Sequence, residues 1–201
     1  METKEVAVKV ADPSAIGLFG LAMVTLVASS QKLGITTEVS YVIPVAIFLG
    51  GLAQLYASIS DSKLNNTFGS TAFGAYGFFW LVVGMEWLIK YGLFGNAMED
   101  AIDFKQMGFL YLGYLIFTLF MTYGAAGTHK VLFSIFVLID FLFLGLVMST
   151  FGILPEAGHM LAAYAELLIA LLSFYGSGAA VLNVHYGRTV LPVGKALISR
   201  G

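Results

Sequence analysis

Among the polar or titratable side chains that interrupt the apolar stretches of this chain are Gln54, Glu86, Asp140 and Glu166. In hydrocarbon such groups are costly, and an ionisable one points to function by default. Gln54, Asp140 and Glu166 stand well inside their runs, whereas Glu86 is nearer an end. The Asp140 and Glu166 carboxyls are candidates for proton coupling, or for a hydrogen bond to a polar group on a neighbouring helix. A second polar set gathers around the third apolar run, where Asn66, Thr67, Thr71 and Tyr76 offer amides and hydroxyls with no Arg or Lys among them. With Gln54, these are candidate donors for a small anion. Neutral donors hold an anion weakly enough to release it, which conduction requires, whereas a bidentate Arg clamp would retain it. The same uncharged set suits a small neutral solute such as ammonia or urea. Tyr76 sits in a glycine-rich stretch deep in its run, so its hydroxyl requires a polar partner or water.

Intramembrane catalysis has little to build on. The chain has no Gly-x-Ser-x-Gly, no His-Glu-x-x-His and no cysteine, so the sequence motifs that mark a nucleophile or a zinc site are missing. His129, His159 and His185 are far apart and lack metal-ligand spacing. The reading is non-enzymatic, with no cofactor and no metal. A membrane sensor would usually add a soluble domain or a long tail.

These residues must be positioned by membrane helices. Apolar residues make up 59% of the chain and charged residues 11%, against about 45–50% and about 25% in soluble domains. A net charge of −2 gives no attraction to nucleic acid. A spanning helix takes about 20 largely apolar residues. Six runs meet this: Ala15 to Ser30, Tyr41 to Ile59, Phe68 to Lys90, Met107 to Ala125, Val131 to Ile153 and Gly158 to Val184. The expected fold is therefore all-α with six transmembrane helices, in three segments: 1–14 before the helices, 15–184 membrane-embedded, and a tail at 185–201. Ser60 to Thr67, Asn96 to Gln106 and Pro155-Glu156 are expected loops.

With six spans both termini share a side. That side carries Lys4, Lys9, Lys63, Lys130, Arg188, Lys195 and Arg200, and the other carries Lys32, Lys90 and Lys105, seven against three of the ten basic residues. Positive loops stay inside, so both termini are expected in the cytoplasm. Small residues such as Gly50, Gly51, Gly69, Gly74 and Gly77 let helices approach closely in lipid. Gly50-Gly51 and Asn65 to Gly69 are also candidate helix breaks. A helix starting near Asn66 would aim free N–H groups at an anion.

The ordered motifs resemble one family. Asp12-Pro13-Ser14-Ala15-Ile16-Gly17-Leu18 resembles the Asn-Pro-Ala-Pro-Leu-Gly-Leu signature of the acetate–succinate permeases, which comprise bacterial SatP/YaaH-type permeases and yeast acetate transporters. Gly50-Gly51-Leu52-Ala53-Gln54 is similar to the family's Gly-Gly-x-x-Gln element. Asn66 to Phe73, with Tyr76-Gly77 and Phe79-Trp80, resembles its third-helix element. Phe117 to Met121 and Tyr186 to Pro192 also fit. The resemblance implies a homo-hexameric ring of six-helix protomers, each with its own pore for acetate and for succinate or other short carboxylates, lying in the cell membrane. It implies a mid-membrane ring of bulky side chains at Leu21, Tyr76 and Ile139. The family more often has Phe at the first of these and Leu at the third. Asp140 and Glu166 stand where its bacterial members carry uncharged residues, so the resemblance assigns them no role. Proton symport and passive anion conduction both remain open.

Overall fold

A computed structural model describes residues 10–199. Lys4, Lys9 and Arg200, used in the charge count, lie outside the described residues, as do the first nine residues of the 1–14 segment. All regular structure among the described residues is helical. Six helices are long and apolar enough to cross a membrane: α1 (Ser14–Lys32), α2 (Val42–Lys63), α3 (Thr67–Lys90), α4 (Phe104–Ala125), α5 (Lys130–Thr150) and α6 (Pro155–Tyr186). Helices satisfy every backbone group within the segment, which lipid demands. One further turn of helix, Asn96–Glu99, interrupts the α3–α4 loop.

The ends follow local chemistry. Pro155 opens α6, where a missing N–H costs nothing, and Gly187 closes it at φ 60° in the left-handed conformation that glycine favours. Asn66 and His129 cap α3 and α5, their side chains accepting from the N–H groups of Gly69 and Leu132. The expected loop at Ser60 to Thr67 is shorter than anticipated. α2 continues through Lys63, with the Ser60 hydroxyl turned back onto the Tyr56 carbonyl at 2.9 Å, and the chain reverses over Leu64 to Asn66. Gly50-Gly51 does not break α2. The helix instead widens into a π-helical stretch over Ala46–Ala53, the kind of local widening often found at functional sites.

Each helix packs on its neighbours in sequence, and α6 returns to pack on α1, giving a ring. Short connections make consecutive helices antiparallel, so the starts of α1, α3 and α5 lie at one end with the finishes of α2, α4 and α6. We call this the termini end. α5 and α6 approach closely at Gly145 and Gly158, where a Cβ on either would come within 2.8 Å of the other's carbonyl oxygen. The α3–α4 seam is wider and is filled by aromatic rings. The tail after α6 folds back: the Leu197 N–H donates to the Ala126 carbonyl at 2.8 Å, and the Tyr175 hydroxyl to the Pro192 carbonyl at 2.8 Å.

Candidate permeation pathway

A cavity of about 250 Å³ enters the ring from the termini end, between α1, α2, α3 and α5. Its mouth is polar, with Ser14, Asp61, Asn66, Thr128 and His129, and its far end lies among Leu21, Gln54, Tyr76 and Ile139. From Ser14 to Leu21 is about two helical turns, or about 10 Å of depth. Leu21, Tyr76 and Ile139 come from three different helices and are 7%, 5% and 3% exposed. The structure thus brings together the three residues expected to narrow a pore.

Tyr76 is held firmly. The Thr118 hydroxyl donates to the Tyr114 carbonyl at 2.7 Å, so the Tyr76 hydroxyl, 2.9 Å from Thr118 Oγ1, is the donor of that pair. The rings of Phe117, Phe136, Phe143 and Tyr114 surround it with centroids 5.9–6.4 Å away. Beyond this level the bundle is filled: Phe79 meets Tyr114 edge-on at 5.0 Å and Phe143 at 5.1 Å.

The expected donors are largely committed. Gln54 is fully buried, and its Nε2 donates to the Gly50 carbonyl at 2.7 Å. That bond fixes the amide orientation, because the flipped form would set two acceptors face to face. Gln54 Oε1 is left without a partner. Asn66 Nδ2 donates to Asp61 Oδ1 at 2.7 Å, and Asp61 Oδ2 has no partner. Thr67 and Thr71 lie outside this cavity. They line a separate polar depression at the same end with Ser62, Asn65 and Ser70. Helical geometry explains the split: Gly69, Ala72, Phe73 and Tyr76 recur at helical spacing on one face of α3, and Thr67 and Thr71 mark another. That spacing is readable from the sequence. Asp61 was not singled out because it sits in a polar run at a helix end, and His129 because it is solitary.

Asp140 and Glu166 line neither site. Thr122 Oγ1 donates to Asp140 Oδ2 at 2.7 Å, toward α4. Glu166 is 1% exposed and pairs with Lys32 Nζ at 2.8 Å, near the opposite end. Glu86 borders an apolar cleft of about 480 Å³ between α3 and α4 at that end. At the cavity mouth, burial pulls the His129 pKa below its ordinary value, opposed by the negative charge of Asp12. Its Nδ1 accepts the Leu132 N–H at 3.1 Å, so the uncharged ring caps α5.

Comparison with known proteins agrees with this architecture. The family model described as the GPR1/FUN34/yaaH family matches residues 2–195. The succinate-acetate/proton symporter SatP of Escherichia coli is 35% identical over 194 residues, covering 94% of this chain and 97% of the relative. The ammonia transport outward protein 2 of Saccharomyces cerevisiae is 32% identical, covering 86% of this chain and 62% of the relative. A solved structure of the bacterial acetate channel SatP superposes with a TM-score of 0.85 at 32% identity, covering 92% of this chain and all of that one. The chain is a six-helix membrane protein belonging to the GPR1/FUN34/yaaH family.

Proposed function

We propose that this chain conducts acetate, and succinate or other short carboxylates, across the cell membrane as a channel or permease rather than as an enzyme. The observation that carries the reading is a polar vestibule ending at an apolar waist, in a family whose solved bacterial member is described as an acetate channel. In this reading Leu21, Tyr76 and Ile139 form the constriction that passes the acetate methyl and rejects hydrated ions. Gln54 and Asn66 touch the substrate within the vestibule, and Thr67 and Thr71 meet it at the entrance. The membrane unit is 15–184, and both termini face the cytoplasm, as the seven-to-three charge bias supports. Six protomers form a ring with one pore in each, which rests on the family resemblance.

The test uses the purified protein in lipid. Acetic acid crosses plain bilayers uncharged, so acetate is best followed as an evoked current and succinate as labelled uptake, each against protein-free membranes. Flux of either supports the reading, and silence in both with folded protein overturns it. A second reading, passage of ammonia, is favoured by the name of the yeast relative and by the free acceptor oxygens in the vestibule. Ammonia-driven alkalinisation of vesicles without carboxylate flux would establish it.

A further inference from the structure

We propose that Asp61 carries the coupling proton, exchanging it with the substrate carboxylate inside the vestibule. The inference rests on carboxylate transport as proposed above. Asp61 is 3% exposed and lines the cavity near its mouth. One oxygen takes the Asn66 amide, and the other is buried without a partner. That free oxygen leans over Gly69, in the first turn of α3, so closely that a Cβ on Gly69 would collide with it. The helix start that a permeating anion would be drawn to is thus already faced by the protein's own carboxylate. About two turns deeper on α2, the helix that carries Asp61, Gln54 presents a second unpartnered oxygen. Free acceptors cannot hold a carboxylate anion, which has no hydrogen to give. They can hold a proton shared with one, or the O–H of the acid.

The exchange balances with no further reagent. An Asp61 carboxylic acid gives its proton to the substrate carboxylate, leaving an Asp61 carboxylate and a protonated substrate group. That group then offers its O–H to Gln54 Oε1 beside the waist. Water on the open side restores the Asp61 proton. In the reverse direction the arriving acid protonates Asp61 and leaves as the anion, and Asp61 then releases the proton to water at the mouth. One proton moves per substrate. The titratable neighbours are Asp12, ahead of α1, whose charge reaches Asp61, His129, ahead of α5, and Tyr76 on α3. Lys63, on the same helix, is exposed. Asp140 also keeps one buried oxygen without a partner, but it does not line the cavity and its other oxygen accepts from Thr122 on α4, while Glu166 is paired with Lys32.

The test is labelled succinate in proteoliposomes held at zero membrane potential. One pH unit drives a one-to-one symporter to about tenfold accumulation, since each unit is worth the same free energy as a tenfold gradient. Wild type is expected to reach that ratio. Asp61→Asn is expected to lose that accumulation while keeping a cooperative unfolding transition in detergent, which shows that it is folded. Asp61→Glu is expected to restore accumulation with a displaced pH midpoint, a result that a packing role would not give. Accumulation by Asp61→Asn at the wild-type ratio overturns the inference, as does its loss in Asp140→Asn or Glu166→Gln alone. Wild-type succinate flux that ignores the pH gradient overturns it too, as does an acetate current, because one acetate moving with one proton carries no net charge. Absence of any carboxylate flux in wild type defeats the transport reading instead.

Discussion

The two ends of the bundle handle buried polarity in opposite ways. At the termini end, Asp61 and Gln54 each leave an oxygen unpartnered beside a cavity. At the opposite end, Glu166 is neutralised by Lys32 at 2.8 Å, and His159 Nε2 lies 2.8 Å from the Lys32 carbonyl. Burying an unpartnered acceptor costs about 1–3 kcal/mol, which a fold tolerates where the group has work to do. A closed ion pair does different work: it ties the end of α1 to the middle of α6. One end holds a polar vestibule with free acceptors, while the other carries a closed ion pair and an apolar cleft between α3 and α4.

Breaking the lock should give the largest effect. Glu166→Leu strands the Lys32 ammonium and is expected to destabilise the protein by about 3 kcal/mol, near the low end for a broken buried pair, because Lys32 is still 17% exposed and can turn toward water. The doubly apolar Lys32→Met/Glu166→Leu should recover most of that loss in denaturant titrations in detergent. If the single and double variants unfold alike, the pair is not what holds this end. Opening the waist is next. Tyr76→Ala removes the bulk facing Leu21 and Ile139, and is expected to narrow the preference for acetate over larger monocarboxylates by roughly tenfold, about what one or two methylenes of pocket space decide. Unchanged discrimination would remove Tyr76 from the constriction. Thr118→Val, which leaves the Tyr76 hydroxyl without its acceptor, should cost about 1 kcal/mol and loosen selectivity far less. Selectivity falling as far as in Tyr76→Ala would mean that ring position, not ring bulk, sets the waist.

The six spans were legible because lipid imposes one rule on every residue of a run, and length with composition tests it. What was misread depended on geometry around the helix. Ser60 to Lys63 looked like a loop because the residues are polar, yet they complete α2, whose last turn lies at the polar end of the bundle. Tyr76, Asp140 and Glu166 each demanded a partner on chemical grounds alone. That the partners are Thr118, Thr122 and Lys32 is a matter of which helices adjoin, and Lys32 lies 134 residues from Glu166. Leu21, Tyr76 and Ile139 were placed together through family resemblance, whereas spacing along α3 could have separated Thr67 and Thr71 from the cavity face. Asp61 had no signal of its own, since only the reversal at Leu64 to Asn66 folds it over Gly69.

The smallest effect sharpens the contrast through pH. At the vestibule mouth the His129 ring accepts the Leu132 N–H through Nδ1, which requires the uncharged form, because a protonated imidazole has no acceptor. Burial lowers its pKa from the ordinary 6.5, so unfolding takes up a proton in the intervening range. The cap's contribution is therefore present above about pH 6.5 and is lost as the pH falls through the lowered folded value. A helix cap is worth about 1 kcal/mol, and the loss should appear as a modest drop in Tm between pH 7 and pH 5. His129→Asn keeps an acceptor that does not titrate, so its Tm should fall less over the same interval. Asp61 and other acids titrate in both proteins, and the difference between the two profiles isolates the ring. Parallel profiles would show that the cap survives protonation, and that this end of the bundle senses pH only through its carboxylates.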